Sequence, residues 1–147
     1  MKVMIAVDGS DCSTVALESV AERAWAEGTE FLVFSVVEPL KPDYAFWHTA
    51  YVPLLEETQA EIRQAAQEMV DKNVEFLKTS FPGYPVDGQV VEGGIRDSIL
   101  DRAREWQADF IVMGSHGRAG LGKYLLGSVA EAVTRRAPCS VEVIRRR

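Results

Sequence analysis

Short apolar runs of strand length recur along the chain, with helix-like stretches between them. Val3 to Val7, Phe31 to Val37 and Phe110 to Met113 are nearly continuous runs. That is the pattern of strands covered on both faces of a parallel sheet, because a strand with one wet face alternates apolar and polar residues. Pro85 to Val91 and Val141 to Ile144 read as two more strands. Parallel neighbours require long crossovers, and the intervening segments supply them. After a turn and helix cap at Asp8-Gly9-Ser10-Asp11, Val15, Ala16, Val20 and Ala24 recur at helical spacing, with Gly28 as the expected stop. Leu54 to Leu77 predicts a long amphipathic helix with Thr58, Ile62, Ala65, Ala66, Met69, Val70 and Val74 along one stripe, ended by Phe81-Pro82-Gly83. Ile95, Ile99, Leu100, Ala103 and Trp106 mark a third helix, and residues 129 to 135 a short fourth. Pro39, Pro42 and Pro53 bracket a connection carrying Tyr44, Phe46, Trp47 and Tyr51, which the prolines keep from being one regular element, so a loop packed against the body is expected. The pattern specifies an α/β domain with a five-stranded parallel sheet, right-handed crossovers and Val141 to Ile144 at an edge.

The 147 residues suit one domain, and 47% hydrophobic with 26% charged residues is an ordinary globular balance. No window approaches the ~20 apolar residues of a membrane helix, and Met1-Lys2 runs straight into the first strand without a signal-peptide pattern, so a cytoplasmic protein with no membrane span is expected. Cys12 and Cys139 are too far apart for a paired motif, and with only His48 and His116 beside them no metal site is expected. The net charge of −6 argues against nucleic-acid binding, which needs a basic face. The charge is unevenly spread: residues 1–113 hold 9 basic and 20 acidic side chains, residues 114–147 hold 7 and 2. The carboxyl-terminal part can therefore host a small anion, although Arg145, Arg146 and Arg147 read equally well as a solvated tail.

In open parallel sheets, ligands bind beyond the carboxyl ends of the strands where strand order reverses. Two segments reach such a position with chemistry to offer: Asp8-Gly9-Ser10 after the first strand, and Gly114 to Ser128 after the fourth. Glycines at 114, 117, 120, 122 and 127 let backbone N–H groups approach a ligand, and Gly127-Ser128 opens a helix whose free amides favour phosphate. Glycines shaping an irregular loop is the alternative. Common motifs are not met. Gly117 to Lys123 fits the first seven positions of a Walker A loop, but Tyr124 replaces the magnesium-binding hydroxyl. Gly120-Leu121-Gly122 would need glycine at 125, which is Leu125. No Gly-x-Ser-x-Gly elbow or His-Glu-x-x-His pair occurs.

The longer spacing Gly114, two residues, Gly117, nine residues, Gly127-Ser128 is met. Together with Val7-Asp8-Gly9-Ser10, Ala108 to Gly114 and Leu125 to Glu131, it resembles the nucleotide-binding branch of the universal stress protein family over the whole chain. The resemblance implies a single domain over residues 1–147, a three-layer open sandwich that is Rossmann-like and similar to the adenine nucleotide alpha hydrolases. It implies adenine nucleotide as ligand, ATP with or without magnesium. Asp8 would hold the ribose or adenine, and the backbone of Ala6, Val7 and Val36 would border the adenine. Met113 and Gly114 would flank the sugar. Ser115, His116, Gly117 and Arg118, with Gly127, Ser128 and Val129, would wrap the phosphates. Each has a plainer alternative: Asp8 as a turn residue, Val36 and Met113 as core, His116 as a loop residue, Arg118 and Lys123 as solvated charges. Cys12, near a helix start, is either redox-active or simply packed. The family's usual cysteine-proline order before the last strand is reversed at Pro138-Cys139.

The resemblance further implies a homodimer through residues 141–145 and a regulatory, nucleotide-sensing role in the stress response, with an unidentified protein partner allowed. No dedicated catalytic set is recognised, and Val7 to Ser13 does not reproduce the Ser-Gly-Gly-x-Asp-Ser loop of the related pyrophosphatases. A slow ATPase or phosphotransferase and a nucleotide-free interaction module are the alternatives.

Overall fold

The computed structural model describes residues 1–41, 51–117 and 126–145. Its elements run β1 (Lys2–Ala6), α1 (Asp11–Ala21), β2 (Glu30–Val37), α2 (Tyr51–Ser80), β3 (Val86–Glu92), α3 (Ile95–Glu105), β4 (Phe110–Gly114), α4 (Ser128–Arg136) and β5 (Ser140–Ile144). All pairings are parallel, in the order β3-β2-β1-β4-β5. The five-stranded α/β sheet expected from the apolar runs is therefore present, with β5 at one edge and β3 at the other.

Alternation along the central strands sends side chains to two separate cores. Val3 and Ile5 join Ala16, Leu17 and Val20 of α1 and Val70, Val74 and Leu77 of α2. Met4 and Ala6 join Ile99 and Ala103 of α3 and Ala130 and Val133 of α4. Two helices thus cover each face, which is why Val3, Met4 and Ile5 of β1 are all fully buried and why that run carries no polar residue. At the amino ends of the strands an aromatic cluster closes the first core. Phe31 stacks on Phe81 with centroids 4.9 Å apart and meets Trp25 edge-on at 5.7 Å.

Element ends differ from expectation in two places. Helix α1 stops at Ala21, well before Gly28, and Ala24 lies beyond it. The Trp25 indole N–H donates to the Val20 carbonyl at 2.9 Å, ending the helix with a side chain, while Gly28 (φ +78) serves the turn into β2. Helix α2 begins at Tyr51, so Tyr51 and Pro53 belong to it and not to the expected loop. Pro53 is tolerated because first-turn amides have no helical acceptor to lose. Residues 42–50 of that connection, with Tyr44, Phe46 and Trp47, lie outside the described residues. Of the stripe on α2, Ala66, Val70 and Val74 are buried and Leu77 extends it, whereas Ala65 faces solvent.

Edge strand β5 is tied to the segment just after α1 by a two-pronged ion pair. Arg23 donates to both oxygens of Glu142, Nη1 to Oε2 at 2.5 Å and Nη2 to Oε1 at 2.6 Å. The Arg23 hydrogen bonds hold the Glu142 carboxyl below its ordinary range, against a smaller upward push from burial. A depressed carboxyl pKa contributes stability above the ordinary glutamate range and loses it as pH falls through the folded value. Glu142→Gln is expected to lower stability by about 1 kcal/mol near pH 7, and at a pH well below the ordinary glutamate range the gap from wild type should close. Urea unfolding midpoints at the two pH values check this.

Candidate functional site

Strand order reverses between β1 and β4, whose following segments turn to opposite sides of the sheet. The crevice at their carboxyl ends is bordered by three structures: the β1–α1 turn, the segment after β4, and the start of α4.

The β1–α1 turn is built by short polar side chains. The half-buried Asp8 accepts from the Ser10 N–H at 3.0 Å and from the Ser10 hydroxyl at 2.6 Å, both on Oδ1. Ser10 is the N-cap of α1 (φ −76, ψ 158), and its Oγ accepts from the Ser13 N–H at 3.2 Å. The Ser13 hydroxyl, itself buried, donates back to the Ser10 carbonyl at 2.9 Å.

After β4, the Ser115 N–H donates to the Ile144 carbonyl at 2.8 Å, and the Gly127 N–H donates to the Ser115 carbonyl at 2.8 Å. The two ends of the glycine-rich segment are thereby pinned side by side. Between them, residues 118–125 lie outside the described residues, and with them Arg118 and Lys123. A Cβ at Gly127 would stand 2.9 Å from the Ser115 carbonyl oxygen, and one at Gly117 would stand 2.9 Å from Oδ2 of Asp8. Glycine at these positions lets the segment lie against both its own base and the β1–α1 turn. The Ser10 hydroxyl also lies 3.4 Å from the His116 carbonyl. His116 Nδ1 is 3.0 Å from the hydroxyl of the buried Ser115, and its Nε2, shielded from solvent, has no hydrogen-bond partner among the described residues.

Helix α4 opens with Gly127 as N-cap (φ −60, ψ 147) and no side-chain cap. Its first-turn N–H groups, from Ser128 onward, therefore point toward the carboxyl end of the sheet and receive no cap from the side chain of the N-cap residue, which is glycine. The Gly127 N–H donates to the Ser115 carbonyl, and Ser128 and Val129 follow it in the first turn of α4.

The remaining predicted residues divide by what they present. Ala6, Val7 and Met113 bury their side chains in the cores, and Val129 packs partly against one, so only their backbones face the crevice. Val36 is also partly core, but it lies past the last β1–β2 partners, Ala6 and Phe34. Strand alternation aims its backbone groups toward β1, as the Phe34 carbonyl accepting from Val7 N–H at 2.9 Å shows. Gly114 has a structural role: a Cβ there would meet the Cys12 carbonyl carbon at 2.7 Å and the Ser13 nitrogen at 2.8 Å. Cys12 is accordingly packed at the helix–strand contact. Cys139, half-buried before β5, has its thiol pushed up by burial and by the Asp109 charge. Sequence reasoning placed Ser10 in the first of the two segments without giving it a role of its own and did not single out Ser13, although Ser10 stands at a recognisable cap position two residues after the aspartate. Among the described residues no cluster of three or more histidine, cysteine or acidic side chains could hold a metal, and no helix is long and apolar enough to cross a membrane.

A five-stranded parallel α/β sheet with an oriented aspartate and a pinned glycine segment at its switch point defines a domain of the open-sheet class. The universal stress protein family model matches residues 1–145, and the chain belongs to that family. It is 32% identical over 145 residues to universal stress protein MJ0531 of Methanocaldococcus jannaschii, covering 99% of this chain and 82% of that one. Its fold is similar to that of UspA from Lactobacillus plantarum, with TM-score 0.81, 26% identity, and 99% and 97% of the two chains covered. The fold is also shared with the universal stress protein of Archaeoglobus fulgidus in complex with dAMP, at TM-score 0.61, 24% identity, and 98% and 97% coverage.

Gly114→Ala places a methyl group against backbone atoms that no rotamer change can move aside. It is expected to lower stability by about 1–3 kcal/mol, the usual overpacking range, read as a drop in the urea midpoint.

Proposed function

We propose that this chain is an ATP-binding regulatory protein of the stress response, acting in the cytoplasm as a homodimer. The observation that carries the reading is the start of α4, with no side-chain cap among the described residues, and across the β1–β4 switch point an aspartate whose carboxylate is already oriented. Free first-turn amides at the positive end of a helix favour phosphate. A carboxylate accepts from a ribose hydroxyl. The Val7 carbonyl and the backbone of Val36 would meet an adenine edge, the Val7 N–H being held by Phe34, and the Ser115–Gly117 turn would border the phosphates. The fold's occurrence in a protein complexed with dAMP supports an adenine nucleotide.

A nucleotide that binds only the folded protein stabilises it by about 2.7 kcal/mol at a hundredfold excess over its dissociation constant. Nucleotide level can thus be read as stability or as a change of surface, without turnover. Magnesium would neutralise the phosphates of the bound nucleotide. The outer edge of β5 suits self-pairing, since Arg23 satisfies Glu142 on the α1 face and leaves the strand's outer backbone for a second copy.

Calorimetric titration of nucleotide-stripped protein is expected to show saturable ATP binding at micromolar concentrations, with GTP much weaker. Ser128→Pro removes one N–H at the first helical position, where proline is tolerated after an extended N-cap. It should weaken ATP about tenfold while leaving adenosine unaffected, as a lost charge-assisted hydrogen bond implies. Absence of binding by folded protein would turn the reading to an interaction module. Multiple-turnover phosphate release that vanishes in Asp8→Ala would turn it to a slow ATPase. Sedimentation equilibrium tests the dimer, and a monomer throughout the micromolar range would remove it.

A further inference from the structure

We infer that Ser10, beyond capping α1, is a positioning residue that sets the Asp8 carboxylate for a sugar hydroxyl, so that ribose recognition depends on a side chain that does not touch the ligand. This rests on the nucleotide reading above. The hydroxyl of Ser10 has one proton and two nearby acceptors, Asp8 Oδ1 at 2.6 Å and the His116 carbonyl at 3.4 Å. The shorter contact takes it. Its lone pair accepts from the Ser13 N–H at 3.2 Å, an amide of the first turn of α1. A directed chain therefore runs from the positive end of α1 through Ser13 N–H and Ser10 O–H to Asp8 Oδ1, each bond polarising the next.

The Ser10 N–H adds a second bond to the same oxygen at 3.0 Å. Two donors from one residue on one oxygen fix the plane of the carboxylate and turn Oδ2 toward Gly117, where a Cβ would come within 2.9 Å of it. Oδ2 thus lies where the β1–α1 turn meets the segment after β4. A serine that only capped the helix would need the Ser13 contact alone. The 2.6 Å bond to Asp8 is what a cap does not require.

Glycine at an N-cap costs only a few tenths of a kcal/mol relative to serine, so Ser10→Gly keeps the helix while deleting the hydroxyl, and Ser10→Thr keeps both. The experiment is calorimetric titration of wild type, Ser10→Gly and Ser10→Thr with ATP, 2′-deoxy-ATP and 3′-deoxy-ATP. Ser10→Gly is expected to bind ATP about tenfold more weakly, and Ser10→Thr within about twofold of wild type. For the deoxy analogue lacking the hydroxyl that Asp8 holds, wild type and Ser10→Gly should bind alike. An equal loss for all three nucleotides would make Ser10 a helix cap and overturn the inference while leaving nucleotide binding intact, as would an unchanged ATP affinity in Ser10→Gly. Folded wild-type protein that binds none of the three would overturn the nucleotide reading and this inference with it.

Discussion

The first turn of α1 rests directly on the last residue of β4, with no room for a side chain between them. A Cβ on Gly114 would stand 2.7 Å from the Cys12 carbonyl carbon and 2.8 Å from the Ser13 nitrogen. This contact places the amino end of α1, with its Ser10 cap, beside the segment that leaves β4. From it follow the approach of Gly117 to Asp8 and of the Ser10 hydroxyl to the His116 carbonyl. Had β4 ended on a larger residue, α1 would be lifted from the sheet and the two walls of the crevice would separate. The same end of β4 is held from its other side, because Ser115 donates to Ile144 of β5 and accepts from Gly127. One residue without a side chain and one with both backbone groups engaged organise the whole carboxyl end of the sheet.

Stability and the site are kept at opposite ends of the strands. The stacked Phe31 and Phe81, with Trp25 against them, close the first core at the amino ends, where no ligand chemistry is gathered. The carboxyl ends carry small polar residues and glycines, whose side chains contribute little burial but permit close backbone approach. The Arg23–Glu142 pair joins these regions laterally by fastening the edge strand to the segment just after α1, so the edge keeps its charge on one face while its outer backbone stays accessible.

Much of the fold was legible because both faces of a parallel sheet must be covered, so its strands are written as apolar runs that stand out from helical periodicity. Burial of Val3, Met4 and Ile5 on both faces is the direct counterpart of the unbroken run at the start of the chain. Element ends were less legible because they depend on contacts distant in sequence or on tolerance. Helix α1 stops where the Trp25 indole reaches back to Val20, a side-chain choice that Gly28 does not reveal. Helix α2 starts at Tyr51 because its first-turn amides need no partner, which makes Pro53 harmless where proline usually signals a break. In the candidate site, the glycine spacing singled out the segment after β4 but not the packing duty of each glycine. Gly114 answers to packing, Gly127 spends its N–H on Ser115, and the first turn of α4 begins at Ser128.

By itself, the sequence determined the fold class, the number and parallel character of the strands, and the two segments carrying polar chemistry, since these follow from periodicity and turn composition along one dimension. Only the tertiary structure decided which polar groups meet and which are already engaged. Strand order brings residues 8 and 117 together, and packing at Gly114 sets how close they come. A hydrogen bond consumes a donor wherever its acceptor happens to lie in space. For that reason the roles of Ser10, Ser115 and Gly127 became readable only once the chain was folded.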